Sequence, residues 1–179
     1  YNITLGKRFQ IKDIEIMLPS EGTFADDFLA DTSAMTVKVG DFLSEDILEN
    51  ETVRASASLR NMGYYEFSKN NFFFEADTLT YPDSAILKMT INGYTRNEVP
   101  ERARPICKFT FNEVSISYPQ TLNVREKILK ELTTIRPGET YSTDVVNNTY
   151  TRLSSLRMFS SVNIGMTPVD SNRIDCRIN

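Results

Sequence analysis

The side chains that most often do chemistry in proteins are either missing from this sequence or placed where they serve structure. No histidine occurs, which excludes a Ser-His-Asp triad, a Cys-His dyad and an imidazole general base. The sequence also lacks a GxxxxGK(S/T) phosphate-binding loop. The acidic pairs Asp26-Asp27 and Glu45-Asp46 fall at predicted helix starts, where carboxylates favour the positive end of the helix dipole. We therefore predict a protein that is not an enzyme.

The two cysteines, Cys107 and Cys176, show no metal-binding pattern. They have no CxxC spacing and no histidine to join them, so we expect no zinc site, no haem and no cofactor. Both fall in predicted strands of the second half of the chain, on positions that face inward. Buried free thiols are the expected state, and a disulfide, which requires an oxidising compartment, is the alternative.

The run Phe72-Phe73-Phe74 is the most prominent candidate for binding. Because side chains alternate across a sheet, at least one of these rings points away from the face that helices cover. Two interpretations stay open: the outward ring packs on Tyr64, Tyr65 or the neighbouring repeat, or it forms a platform for a partner chain.

These residues belong to a tandem repeat. The segment RFQIKDIEIMLP at Arg8–Pro19 returns 100 positions later as KFTFNEVSISYP at Lys108–Pro119. Apolar residues alternate in both copies with one two-residue slip, which predicts a half-buried strand with a bulge or bend at Lys12-Asp13 and at Asn112-Glu113. Internal repetition on this scale predicts two small domains.

Each copy then predicts a short helix and a long one. The short helices are predicted at Phe24–Thr32 and Val124–Ile135. The long helices follow a Gly-acid-x-x-Ser segment, in which Ser44 and Ser142 are predicted to cap the helix through their hydroxyl oxygens. Helical spacing predicts the buried faces as Leu48, Thr52, Ala55, Leu59 and Met62 in the first copy and Val146, Tyr150 and Leu153 in the second.

Two short strands complete each copy. Turn residues join Asn71–Asp77 to Ser84–Asn92, and Ser161–Thr167 to Asn172–Asn179, as hairpins. We thus predict an α+β fold of two tandem β-α-α-β-β domains, each a three-stranded mixed sheet covered by two helices. The third strand lies in the middle, parallel to the first, and the first and second strands form the edges. The predicted boundaries are 1–95 for the first domain, 96–105 for a linker and 106–179 for the second domain.

Charge is divided unevenly along the chain. Residues 1–92 hold 8 Lys and Arg against 15 Asp and Glu, whereas residues 93–179 hold 12 against 9. The overall charge of −4 and the lack of a concentrated basic face argue against nucleic acid as a partner.

The arrangement resembles a known domain family. Units of this order and size, with a glycine before the long helix and a helix end of the form Leu-x-x-apolar-Gly-x-aromatic, are similar to polypeptide-transport-associated (POTRA) domains. The resemblance covers residues 8–92 and 106–179. The helix-end pattern is matched by Leu59, Met62, Gly63 and Tyr65, and again by Leu153, Leu156 and Phe159, with Arg157 where the family usually has glycine.

POTRA domains form the periplasmic arm of outer-membrane protein assembly factors such as BamA and TamA. The resemblance therefore implies the periplasmic portion of an outer-membrane protein from a Gram-negative bacterium, whose parent chain carries a C-terminal membrane β-barrel. It implies unfolded outer-membrane polypeptides or accessory assembly proteins as partners. The sequence begins at Tyr1 without a methionine, as expected of a piece of a longer protein.

Clients are expected to bind by strand addition, in which an extended chain pairs with the open edge of a sheet. The candidate polypeptide-binding residues on the edge strands are Phe72, Phe73, Phe74, Val162 and Ile164. Two other functions stay open: the POTRA arm of a two-partner secretion transporter, which passes one dedicated client, and a POTRA scaffold of a division-type membrane protein.

Overall fold

The structure, a computed structural model, describes residues 7–20, 22–93, 105–119 and 125–179. In that part of the chain the elements follow the predicted order twice. The first copy comprises β1 (Gln10–Met17), α1 (Phe24–Asp31), α2 (Glu45–Asn61), β2 (Phe72–Asp77) and β3 (Ser84–Ile91). The second copy comprises β4 (Thr110–Ile116), α3 (Glu126–Leu132), α4 (Thr143–Ser155), β5 (Ile164–Pro168) and β6 (Arg173–Ile178).

Each copy forms a three-stranded mixed sheet with its last strand in the middle. β3 pairs in parallel with β1 and antiparallel with β2. β6 pairs in the same way with β4 and β5. The predicted α+β fold is therefore confirmed, and so are both hairpins and the assignment of the first and second strands to the sheet edges.

Both first strands carry the predicted bulge. The register of β1 shifts between Ile11 and Asp13, and that of β4 shifts between Phe111 and Val114. An extra residue in one strand changes the alternation, so that apolar side chains before and after the bulge face the same side of the sheet. The two-residue slip in the alternation of apolar residues results from this bulge.

The segment before each long helix pairs with the outer edge of the first strand. The amide of Ile11 donates to the carbonyl of Asp41 at 2.8 Å, and the carbonyl of Ile11 accepts from the amide of Gly40 at 2.7 Å. The second copy repeats both bonds, at 2.9 and 2.7 Å, between Phe111, Glu139 and Gly138. The Gly-acid part of the repeated motif thus covers the beginning of an otherwise open sheet edge.

The core of each copy lies between the sheet and its helices. Along β3 the buried residues alternate with half-buried ones, as expected of a central strand with one covered face. In the first copy the buried side chains include Phe24, Phe28, Ala55, Phe67, Leu87 and Met89. In the second copy they are Phe109, Phe111, Leu129, Ile135, Tyr141, Leu153, Ile174, Cys176 and Ile178.

The two long helices begin differently. The amide of Ile47 donates to the hydroxyl oxygen of Ser44 at 3.4 Å, so the predicted cap is present although the bond is long. Ser142 is the N-cap residue of α4, but its hydroxyl makes no such bond, so the predicted hydrogen bond from the hydroxyl cap is wrong. The side-chain carbonyl of Asn61 instead accepts the amide of Asp144 at 3.0 Å, which satisfies an amide that has no partner within the helix.

A buried ionic cluster joins α1 and the loop after it to α2. Glu51 is 1% exposed, and its carboxylate accepts both the amide and the hydroxyl of Thr36 at 2.7 Å. The guanidinium of Arg54 lies 2.6 Å from Glu51 and 2.8 Å from Asp31. The hydroxyl of Ser58 also donates to Asp31, at 2.6 Å. Each carboxylate therefore has charged and neutral partners, as a buried charge requires.

The hydrogen bonds of this cluster change the acidity of Glu51. Burial raises the pKa of Glu51, but the hydrogen bonds from Arg54 and from Thr36 outweigh burial and hold the pKa below its ordinary value of 4.5. A carboxyl group with a lowered pKa in the folded state contributes stability that is fully present above its unfolded-state pKa. That contribution is lost as the pH falls through the folded-state pKa.

The second copy replaces this cluster with a pair of hydroxyl groups. Thr134, which lies 98 residues after Thr36, donates its amide to the hydroxyl of Thr149 at 3.0 Å, and the two hydroxyl oxygens are 2.7 Å apart. Thr149 is wholly buried, whereas Tyr150 is 50% exposed. The prediction that Tyr150 faces the core is wrong, because the buried stripe of α4 passes through Thr149 and Leu153.

The chain divides into two compact units. The first contains the residues up to Ser58 together with Glu66–Ile106, and the second contains Leu59–Tyr65 together with Cys107–Asn179. The end of α2 and the turn after it therefore belong to the second unit. The predicted boundaries at residues 95 and 106 stay a prediction, and most of the predicted linker lies outside the described residues.

Both long helices are followed by a residue with positive φ. Gly63 has a φ of 115° and Arg157 a φ of 51°. A Cβ atom on Gly63 would lie 2.6 Å from Cγ2 of Thr140 and 3.2 Å from Cβ of Lys108, so glycine is needed there for space as well as for its backbone. Arg157 adopts the left-handed conformation with a side chain, at a cost of about 1 kcal/mol.

The two cysteines are free thiols. Cys176 lies in β6, is 1% exposed, and burial raises the pKa of its thiol to about 11. Cys107 precedes β4 rather than lying in it, is half-buried, and donates its thiol to the carbonyl of Ser171 at 2.9 Å. The predicted strand position is correct for Cys176 and wrong for Cys107.

Replacing Glu51 by glutamine should lower the free energy of unfolding by about 2–4 kcal/mol near neutral pH, because it breaks a buried ion pair. The pH dependence should also flatten below pH 4.5, where the parent loses the contribution of the ionised Glu51. Urea unfolding at a series of pH values measures both effects. Glu49→Gln is the matched control, since Glu49 lies on the same helix in an exposed ion pair with Lys69. Equal losses in the two variants would contradict the prediction.

Replacing Arg157 by glycine should stabilise the second unit by roughly 0.5–1 kcal/mol, because glycine adopts the left-handed conformation without strain. Urea unfolding of the whole chain measures the change. In the control variant, Arg152→Gly, glycine lies inside α4 and should destabilise by about 1 kcal/mol. A loss of stability in Arg157→Gly would show that the helix end carries no strain.

Candidate polypeptide-binding edges

β2 presents its three phenylalanines to two different faces of the sheet. Phe72 and Phe74 face the helices and are half-buried. The ring of Phe72 lies 6.3 Å from that of Phe28, 5.5 Å from that of Phe67 and 6.2 Å from that of Phe74. These aromatic contacts fix β2 against the helical layer, so the strand is held in place although it lies at an edge.

Phe73 points to the face of the sheet opposite the helices. It pairs with Thr90 of β3, which pairs on its other side with Met17 of β1. Phe73 is 53% exposed and Met17 is 51% exposed. Within the first unit the ring of Phe73 contacts no described aromatic side chain, so it stands as an exposed apolar group at the end of the edge strand.

The free edge of β2 carries backbone groups that point away from the sheet. The amide of Asn92 donates to the carbonyl of Asn71 at 2.8 Å. Because bonded and non-bonded pairs alternate along an antiparallel ladder, the next bonded residues of β2 are Phe73 and Glu75. The amides and carbonyls of Phe74 and Ala76 therefore face outward, and no described segment bonds to them.

β5 has the same arrangement in the second unit. Asn163 and Asn179 exchange two backbone hydrogen bonds, at 2.9 and 2.8 Å. Because bonded and non-bonded pairs alternate, the next bonded residues of β5 are Gly165 and Thr167. The amides of Ile164 and Met166 then point outward. Pro168, which has no amide hydrogen, occupies the next outward position, where an edge strand tolerates proline.

Val162 lies just outside the edge strand. The structure begins β5 at Ile164, whereas the sequence predicts the strand from Ser161. The half-buried side chain of Val162 packs against the core of the second unit beside Phe159 and Leu153. Val162 thus packs beneath the beginning of β5, but it is not paired in the sheet and offers no ladder position to an added strand.

Asn71 is a structural anchor of the β2 edge that the sequence reasoning missed. It is 6% exposed. Its side-chain oxygen accepts the amide of Ser68 at 3.0 Å, and its side-chain nitrogen donates to the carbonyl of Asn92 at 2.9 Å. The Ser-x-x-Asn spacing is a recognisable capping box, but asparagine in a short loop more often indicates a turn.

The described residues offer little other chemistry. In the ranges 7–20, 22–93, 105–119 and 125–179, no group of three or more Cys, Asp or Glu residues could hold a metal ion. In the same ranges, no helix is both long and apolar enough to cross a membrane.

The chain matches no family model and no curated protein sequence. Solved structures do resemble it. BamA from Haemophilus ducreyi lacking POTRA domains 1–3 is 13% identical with a TM-score of 0.67, and the match covers 95% of this chain and 29% of that one. POTRA3–5 of Haemophilus influenzae BamA is 13% identical with a TM-score of 0.59, covering 95% and 60%.

A third match covers nearly the whole of both chains. POTRA1–2 of the periplasmic domain of Omp85 from Anabaena is 8% identical with a TM-score of 0.54, covering 96% of this chain and 94% of that one. The chain spans less than two thirds of either BamA structure. Similarity at these identities is a similarity of fold, and it confirms the predicted resemblance: the two units have the POTRA fold.

Proposed function

We propose that this chain is a periplasmic polypeptide-binding arm of an outer-membrane protein assembly factor. In this proposal it engages unfolded outer-membrane polypeptides or accessory proteins by strand addition at β2 and β5. The similar solved structures are POTRA domains of BamA and of the periplasmic domain of Omp85. The compartment is carried over from the Omp85 structure, and the role is carried over from the resemblance of the sequence to the POTRA family.

The observation that carries the proposal is the asymmetry of the two edges in each sheet. The first strands are covered at Ile11 and Phe111 by the Gly-acid segments. The second strands leave the amides of Phe74, Ala76, Ile164 and Met166 pointing outward, and no described segment covers them. Folded proteins usually protect such edges, because an open edge pairs readily with another chain.

Strand addition fits a receptor that accepts many clients. Main-chain hydrogen bonds supply the affinity whatever the side chains of the client, and neighbouring apolar groups add a weak preference. Phe73 supplies such a group in the first unit. An individual segment of a client should bind with a dissociation constant in the micromolar to millimolar range, because one added strand has little else to bury.

Proline substitution separates the backbone from the side chain at the proposed site. Phe74→Pro and Ile164→Pro remove outward amides at positions where an edge strand tolerates proline. We expect each variant to lose binding of an amphipathic peptide of about ten residues, the length of an outer-membrane strand. In the parent, the peptide should shift the amide NMR signals of Ala76 and Met166.

Phe74→Ala and Ile164→Ala are the matched controls, since they remove the side chains and keep the amides. Circular dichroism establishes that each variant is folded. Proline variants that bind the peptide as well as the parent would exclude strand addition at these edges, as would peptide binding without any shift at Ala76 or Met166.

Substitutions on the two faces of β2 should have different effects, one on stability and the other on peptide binding. Phe72→Ala should lower the free energy of unfolding by about 2–3 kcal/mol, because it removes a ring from the aromatic cluster. Phe73→Ala should change stability by less than about 1 kcal/mol, since the ring is half exposed, and should weaken peptide binding. Thermal unfolding and peptide titration measure the two quantities. Unchanged binding in Phe73→Ala would show that this ring is no part of the site.

A further inference from the structure

The second unit has another open edge, on the opposite side of its sheet. Beyond Phe111 the outer edge of β4 borders a cleft of about 600 Å³ between the strand and α3. Apolar groups from both sides line it, among them Val114, Ile116 and Pro137. Its remaining wall carries the basic side chains Lys127, Lys130 and Arg136.

The backbone of β4 turns two residues toward this cleft. The amide of Ser117 donates to the carbonyl of Ile178 at 2.8 Å, and residues of a parallel strand alternate between the two sides. Val114 and Ile116 therefore direct their amides and carbonyls away from β6, and no described group bonds to them. In the first unit the matching amide, that of Ile14, is already satisfied by the carboxylate of Asp13 at 2.8 Å.

The described lining of the cleft carries more basic than acidic side chains. Lys127, Lys130 and Arg136 line it together with Glu131, whose carboxylate lies 3.9 Å from the ammonium of Lys127. The side chain of Lys127 is 86% exposed. Only Nη1 of the Arg136 guanidinium forms hydrogen bonds to described residues, and its partners are backbone carbonyls at the end of α3. In the part of the chain that the structure describes, no carboxylate forms an ion pair with this guanidinium.

We propose that this cleft binds an acidic extended polypeptide segment, which adds to β4 as a fourth strand and directs its carboxylates toward Lys127 and Arg136. Alternate side chains of an added strand would lie on the face where α3 packs, so every second residue of the ligand reaches the basic wall. The outward amides favour a polypeptide over a simple anion, because they form a ladder that only another backbone matches. This site is distinct from the β2 and β5 edges and differs from them by selecting charge.

The test uses the whole chain and three fluorescent peptides of about eight residues, within the usual length of a strand. One alternates Glu with Thr, one alternates Gln with Thr and one alternates Lys with Thr. We expect the Glu peptide to bind most tightly and the Lys peptide most weakly. The preference for Glu over Gln should shrink as salt is added, because exposed charges are screened.

Two variants localise the binding. Val114→Pro removes one outward amide and should abolish the shift of the Ile116 amide signal on addition of the Glu peptide. Lys127→Gln should weaken the Glu peptide roughly twofold to fivefold, the range expected of an exposed ion pair, and leave the Gln peptide unchanged. Arg152→Gln, on the exposed side of α4, is the matched control. If Val114→Pro fails to fold by circular dichroism, Lys127→Gln and the NMR shifts decide alone.

Several results would overturn the proposal. The Glu and Gln peptides could bind equally, or the Glu peptide could shift Ile164 and Met166 instead of Val114 and Ile116. Phe74→Pro and Ile164→Pro should leave the Glu peptide bound at β4. Failure of the proposed β2 and β5 sites is therefore distinguishable from failure of the β4 site. Vesicles rich in phosphatidylglycerol are the remaining probe. If they displace the Glu peptide and bind Val114→Pro as tightly as the parent, the cleft is a site for anionic headgroups and not for a strand.

Discussion

Two backbone hydrogen bonds to one residue of the first strand, Ile11 or Phe111, organise each unit. They connect the outer edge of the sheet to the turn that precedes the long helix, and Gly40 and Gly138 make that turn with φ angles of 95° and 84°. The same connection sets where the long helix begins and brings Val37 and Ile135 into the core. It also covers the first half of one edge, so the edges that remain open are the second strand and the far half of the first.

A second buried connection ties the loop before that turn to the long helix, and here the copies use different chemistry. The amides of Thr36 and Thr134 meet side chains at corresponding helix positions, a carboxylate in Glu51 and a hydroxyl in Thr149. What both copies preserve is a hydrogen bond from a loop amide to a buried polar side chain of the long helix, which is costly to leave without a partner. The carboxylate brings a charge that Arg54 must balance, so the first unit gains a dependence on pH that the second lacks at this position.

The order of elements, the hairpins, the bulges and the sheet order could be predicted from the sequence because they depend on local patterns and on chain connectivity. Alternation, turn residues and helical spacing act over a few residues. Burial of Glu51 could not be predicted, since it depends on Thr36, 15 residues away in the chain, and on Arg54, which also binds Asp31. For the same reason the sequence predicts Tyr150 in the core in place of Thr149, and it gives the hydroxyl of Ser142 a hydrogen bond that the side chain of Asn61 provides. At the candidate edges, both strands were predicted, although β5 begins at Ile164 and not at Ser161. Which amides face outward depends on the ladder and was visible only in the structure.

The repeat preserves its interior more closely than its edges. Bulge, turn, central strand and loop-to-helix bond recur in both units, whereas the groups around the open edges differ. Near β2 they are the exposed Phe73 and the carboxylate of Glu75, which is 3.7 Å from Lys88. Near the far half of β4 they are lysine and arginine, whereas in the matching strand of the first unit the carboxylate of Asp13 accepts the amide of Ile14. Because main-chain pairing is indifferent to sequence, any selectivity under the proposed strand addition must come from these surrounding side chains. In that proposal an acidic segment would prefer the far half of β4 to β2, where Glu75 lies beside the edge.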